Sequence, residues 1–72
     1  MENIRLTTRQ KELIVLLAMG YKQDQIAKKL NISRDTVSYH FKNIKVVLGA
    51  KTTAQAVANA IKLNLIDLDE KY

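Results

Sequence analysis

The chain contains no cysteine, no proline, two glycines and one histidine, His40. Without cysteine there is no disulfide to staple so small a domain. A lone histidine with no cysteine nearby reads as a packed or hydrogen-bonding residue rather than a metal ligand, so neither a metal nor a cofactor is expected. The longest apolar run, Leu13 to Met19, falls far short of the roughly 20 residues that span a bilayer. The opening Met-Glu-Asn-Ile-Arg lacks the apolar centre of a signal peptide, which makes the cytoplasm the expected location, with no membrane partner. There is no Ser-His-Asp order, no glycine-rich phosphate loop and no pair of carboxylates outside the last residues, so no enzymatic activity is expected.

What is present is aliphatic and basic. At 72 residues, 47% of them hydrophobic, the chain holds one domain whose core must come from packed aliphatic side chains. Lack of proline and scarcity of glycine suit short helices joined by tight turns, and the fold class expected is all-α. Twelve Lys and Arg stand against seven Asp and Glu; residues 1 to 66 hold eleven of the bases and four of the acids, a net charge of +7. That surplus suits a polyanion such as nucleic acid, and equally suits a basic protein kept in solution by its charge. Asp67, Asp69 and Glu70 lie in an acidic tail, 67 to 72, expected to fray beyond a domain of residues 1 to 66.

Four helices are predicted, over about 8–19, 23–30, 34–48 and 53–63. Thr7 with Gln10 forms a capping box for the first, Leu13, Ile14, Leu16 and Leu17 supply its buried stripe, and Gly20 closes it in the left-handed conformation. Val15 and Met19 are expected on its outer side. In the second, Ile26, Ala27 and Leu30 face inward and Asn31 is the stop. Ser33 caps the third, with Asp35 complementing the positive end of its dipole. Thr52 with Gln55 forms a capping box for the fourth, whose Val57, Ala60 and Ile61 look inward, leaving Gln55, Ala58 and Lys62 on the opposite side as a candidate pairing surface.

The third helix bears most on function. Val37, Phe41, Ile44 and Leu48 recur at spacings of four, three and four and so share a core face. Arg34, Asp35, Ser38, Lys42 and Lys45 fall on the other side, which is polar and basic. An eight-residue helix, the connection Asn31-Ile32-Ser33 and a longer helix with such a face make the layout of a helix-turn-helix. The major groove admits one α-helix, which needs polar groups on one face and an apolar anchor opposite. Any surface helix of a small bundle also has a polar face, so amphipathicity alone leaves both readings open.

An ordered set of residues carries a resemblance. Leu6-Thr7-x-Arg9-Gln10, Gly20, Gln25-Ile26-Ala27-x-x-Leu30, Ile32-Ser33-x-x-Thr36-Val37-x-x-His40, Leu48-Gly49-Ala50 and Gln55-Ala56-Val57 resemble the C-terminal domain of LuxR-type transcription factors from about Leu6 to Ile66. Gln55-Ala56-Val57-Ala58 with Leu65-Ile66 looks most like the quorum-sensing branch. The resemblance implies a transcriptional regulator whose third helix enters the major groove of double-stranded DNA, binding an inverted-repeat operator as a homodimer paired through the fourth helix. Matching positions would put Ser38, Tyr39 and Lys42 at the bases and Thr36 and His40 near the backbone. The Tyr39 ring meets a thymine methyl or covers Asn43; Lys42 donates to guanine O6 and N7 or pairs with a phosphate. Lys22, at the start of the second helix, and Arg9, Arg34 and Lys45 are expected at the DNA backbone as well.

The chain departs from that family's pattern at several positions. Gln10 stands for a Glu, Lys22 for the Ser or Thr cap of the second helix, Val47 for a Lys or Arg, Thr53 for an Arg, and Asn64 for the Gly that closes the fourth helix. Loss of the cap predicts fraying at Lys22, and loss of two basic residues predicts lower affinity. The rival reading is a protein-interaction module or antagonist that forms a heterodimer with a full-length LuxR-type regulator, to which exposed Val15 and Met19 would contribute. The +7 charge makes a direct prediction: for Z phosphates neutralised, log K for duplex DNA should fall with log salt at about −0.9Z. Titrations between about 50 and 200 mM salt check it, and a flat response excludes DNA binding through the basic face.

Overall fold

Each helix begins on an extended residue, which at three of the four satisfies a first-turn donor, and ends just before a residue that reverses the chain. In the computed structural model, which describes residues 4–67, the helices are α1 (Thr8–Ala18), α2 (Gln23–Leu30), α3 (Arg34–Val47) and α4 (Thr53–Lys62). The described residues hold no strand, and no helix among them is long and apolar enough to cross a membrane. α1, α3 and α4 each end one residue earlier than expected, because Met19, Leu48 and Leu63 act as C-caps. Of the expected acidic tail, residues 68–72 lie outside the described residues.

The starts follow the side chains. At α1 the Gln10 amide donates to Thr7 Oγ1 (3.1 Å) and the Thr7 amide to Gln10 Oε1 (2.9 Å), the reciprocal box the spacing predicts. At α3 the Thr36 amide donates to Ser33 Oγ (3.0 Å). The expected box at α4 forms only by half. Gln55 N–H donates to Thr52 Oγ1 (3.0 Å), but Gln55 Oε1 accepts from Lys51 N–H (2.7 Å), one residue before the cap. Lys22 gives α2 no side-chain cap, yet the helix starts at Gln23 regardless, with Gln25 Oε1 accepting from the Lys22 amide (2.8 Å).

The ends share one device. Gly20 (φ 102°), Asn31 (φ 57°), Gly49 (φ 62°) and Asn64 (φ 57°) are left-handed. The next residue, Tyr21, Ile32, Ala50 or Leu65, donates its amide to the carbonyl five residues back, at Leu16, Ala27, Lys45 and Ala60, over 2.8–3.1 Å. Each of these following residues packs against the core, which closes the helix and turns the chain inward in one step.

Leu13, Ile14 and Leu16 of α1, Ile26 and Ala27 of α2, Val37, Phe41, Ile44 and Leu48 of α3 and its cap, and Ala56 and Ala60 of α4 form the core. α1 and α3 pack against each other and against both flanking helices, whereas α2 and α4 make no close backbone approach to one another. The expected face of α3 is the observed one. Two other assignments are corrected. Val15 does not face outward but is wholly buried, while Met19 is 56% exposed and Leu17 is only half-buried. Ile61 does not look inward; it is 44% exposed, and α4 rests on Ala56 and Ala60. Alanine brings the α4 backbone close to its neighbours, and a stripe led by Ile61 would hold it away.

The turn before α3 gives a stability prediction. Asn31→Gly should leave the urea midpoint unchanged or slightly higher, because Gly adopts φ 57° freely. Asn31→Val should lose about 1–2 kcal/mol, since a β-branched side chain is strained there. Equal midpoints for the two variants would show that the turn carries no conformational demand.

Candidate nucleic-acid interface

The short connection from Leu30 to Arg34 and the burial of Val37, Phe41 and Ile44 leave one face of α3 clear of the protein. At about 100° per residue, Asp35, Tyr39, Lys42 and Val46 lie around the direction opposite the core face of Val37, Phe41 and Ile44, Ser38 lies on the flank toward α2, and all five are exposed. Ser38, Tyr39 and Lys42 are thus exposed within about one turn of each other, with Tyr39 at 64% exposure. Arg34 is exposed at the start of the helix and Lys45 half-buried toward its end. Thr36 and His40 sit at the rim, half-buried.

Several of these groups already have local partners. The Thr36 and Ser33 hydroxyls lie 2.8 Å apart, so Thr36 takes part in the cap of α3. The Tyr39 ring meets His40 edge-on, with centroids 6.1 Å apart and planes at 60°, so the phenol leans toward the rim where His40 sits. Ser38 Oγ donates to Gln23 Oε1 of α2 across 3.3 Å. Arg9 Nη1 is 3.9 Å from Glu12 Oε1 on the surface of α1, an exposed i,i+3 pair of little energetic weight that leaves the guanidinium its other donors. Lys29 Nζ lies 5.7 Å from the centre of the Tyr21 ring. Lys22 is exposed at the start of α2, where no side chain accepts from the first-turn amides.

Gln55, Ala58 and Lys62 are exposed on α4, apart from the α3 face, and Ala54 and Ile61 join them. Gln55 has its carbonyl oxygen engaged by Lys51. Two residues of interest escaped the sequence reading. Gln23 touches Ser38 through a contact fifteen residues apart, for which a single sequence carries no local signal. Val46, 75% exposed four residues after Lys42, could have been found from the helical wheel.

An α-helical domain whose second and third helices are joined by a tight turn, with the third presenting a free polar face, is a helix-turn-helix DNA-binding domain. The profile of the GerE family, described as bacterial regulatory proteins of the luxR family, matches residues 5–60. The chain belongs to this family. It is 46% identical over 59 residues to the probable transcriptional regulatory protein SgaR of Hyphomicrobium methylovorum, covering 82% of this chain and 28% of that protein. With the response regulator protein VraR of Staphylococcus aureus it shares 39% identity over 61 residues, covering 85% of this chain and 29% of VraR. The chain thus spans less than a third of the length of these curated relatives. In three dimensions it resembles the transcription factor GerE, with a TM-score of 0.84 and 32% identity over 94% of this chain and all of that one. It also resembles VqmA of Vibrio cholerae, described as a dimer and a LuxR-type receptor, with a TM-score of 0.84 and 25% identity over 97% of this chain and 34% of VqmA. A response regulator and a LuxR-type receptor both appear among these relatives, so the match is to the family and not to one branch.

The arrangement separates two lysines by place. Lys42→Ala should weaken binding to the specific site by about 1–3 kcal/mol and relax preference at one base position, whereas Lys22→Ala should weaken all sequences alike. Gel-shift titrations on specific and scrambled duplexes distinguish them, and a uniform loss for Lys42→Ala would make it a phosphate contact.

Proposed function

We propose that the chain is the DNA-reading part of a bacterial transcriptional regulator that acts in the cytoplasm, binding an inverted-repeat operator with α3 in the major groove. The observation that carries this reading is the outward face of α3, where Tyr39 and Lys42 stand opposite the buried Val37, Phe41 and Ile44 with the exposed Ser38 beside them on the flank toward α2. Ser38, Tyr39 and Lys42 meet base edges. Arg9, Lys22, Arg34, Thr36, His40 and Lys45 surround them and meet the sugar-phosphate backbone, Lys22 together with the free amides of α2. Selection of bound sites from random duplex DNA tests the reading: an enriched palindrome is expected, and no enrichment overturns it.

Two copies on a palindrome need a self-complementary surface. α4 offers one in Ala54, Ala58 and Ile61, spaced four and three apart and exposed, with Gln55 and Lys62 beside them. Small residues let a second α4 approach closely, and the exposed Ile61 supplies apolar area to bury. The related VqmA structure is described as a dimer, which supports pairing here. The same strip would accept α4 of a longer relative, and this favours heterodimer formation as a second reading. Val15 lends that reading nothing, being buried. Ala58→Glu puts two like charges near the two-fold axis without touching core or α3. It should spare folding and half-site binding but abolish cooperative binding to two half-sites about one turn apart. Unchanged cooperativity in footprinting would remove α4 as the pairing surface.

A further inference from the structure

A serine at a protein–DNA interface is an indifferent reader, because its hydroxyl has one proton to give and lone pairs to accept with, and it serves either kind of base edge. Ser38 differs from a free serine in one respect. Its proton is directed at Gln23 Oε1, the side-chain carbonyl of the first residue of α2, 3.3 Å away. What remains on Ser38 for a ligand of α3 is lone pairs only. Gln23 uses its acceptor in this contact, and its Nε2 hydrogens have no acceptor among the described residues. They are not buried either, so they stay available on the side of the domain where α2 begins, next to the exposed Lys22.

We propose that Gln23 is a specificity-determining positioning residue that fixes Ser38 as an acceptor, so that the chain selects a base bearing an exocyclic amino group at the position Ser38 faces. In the major groove those bases are adenine, through N6, and cytosine, through N4; guanine and thymine present O6, N7 or O4 there, which are acceptors. Facing one of the latter, Ser38 would set lone pair against lone pair or break its bond to Gln23. The free Nε2 hydrogens of Gln23 meanwhile suit a phosphate oxygen, which would lock the amide in the orientation Ser38 requires. Reading at one base thus depends on a residue of α2 that does not itself touch it. The inference rests on the placement of α3 in the major groove proposed above.

Site selection from random duplex DNA with the 72-residue chain and its Ser38→Ala, Gln23→Ala and Gln23→Glu variants tests it, with thermal melting to verify that each is folded. The unaltered chain should enrich adenine or cytosine at one position of each half-site, by roughly fivefold to a hundredfold over guanine or thymine. Ser38→Ala should erase preference at that position alone. Gln23→Ala frees the hydroxyl to rotate, and discrimination there should fall to within about twofold. Gln23→Glu keeps an oxygen acceptor and no donor, so the preference should persist while the added negative charge weakens every sequence.

A wild-type preference that survives Gln23→Ala overturns the inference and leaves α3 in the groove. Loss of the preference in Gln23→Glu as complete as in Gln23→Ala also overturns it, since Ser38 would then be receiving a hydrogen from the amide. Absence of any enriched sequence with the unaltered chain, or an unchanged preference in Ser38→Ala, removes the placement of Ser38 at a base and the inference with it.

Discussion

The structure depends on a left-handed residue followed by an apolar one, used at the end of all four helices. At Gly20-Tyr21, Asn31-Ile32, Gly49-Ala50 and Asn64-Leu65 the chain reverses, and the second residue of each pair returns its amide to the carbonyl five residues earlier. The amide bond satisfies a carbonyl that the helix end would orphan, and the side chain is delivered to the core. For a short chain with no disulfide this matters, because each turn has to be specified without help from a long loop or a covalent link. The pair at Asn31-Ile32 has the greatest functional reach. Between Leu30 and Arg34 there are three residues, so the orientation of α3 relative to α2 is set by Asn31 in the left-handed region, Ile32 in the core and Ser33 as the cap.

Much of this was legible because it is local. Thr7 with Gln10, Ser33 at the start of α3, and the two glycines and two asparagines at helix ends are short-range statements about where a backbone donor or acceptor finds its partner. The core face of α3 was legible because the helix has only one apolar stripe, Val37, Phe41, Ile44 and Leu48, all buried as expected. α1 and α4 failed that test for different reasons. α1 is apolar without a break from Leu13 to Met19, so no single stripe is marked out, and its burial takes in Val15. In α4 the inward residues are Ala56 and Ala60, whose value lies in how closely they let backbones approach, while Ile61, more hydrophobic on any scale, is left outside. Periodicity weighs residues by hydrophobicity, and close packing weighs them by size.

The candidate site divides along the same line. Ser38 and Lys42 could be placed on the polar side from spacing alone, because a helix with a known core face has a known polar one, whereas Tyr39 was added by the family resemblance. What each side chain does there was not legible, because it depends on neighbours distant in sequence or on rotamers. Ser38 bonds to Gln23, Tyr39 leans on His40, and the Thr36 hydroxyl turns back to the helix cap. These contacts reduce the freedom of three polar groups before any ligand arrives, which lowers the entropy that binding must overcome and narrows the hydrogen-bonding pattern each can offer.

Charge and pattern are then supplied by different residues. The exposed side of α3 has Lys42 between an exposed serine, tyrosine and valine, with Arg34 at the start of the helix, Lys45 toward its end and Lys22 beside Gln23, the partner of Ser38. A polyanion is attracted by the surrounding charges whatever its sequence, and that attraction weakens with salt. The neutral centre contributes little to attraction, but its hydrogen bonds and ring edges are direction-dependent and hardly screened. Val46 and Val47, exposed at the far end of the same helix, extend the neutral centre where a basic residue would have added attraction. With α3 in the major groove as proposed, more of the discrimination would rest on shape and hydrogen-bond direction than the net charge suggests, and so a pair as small as Ser38 and Gln23 has room to matter.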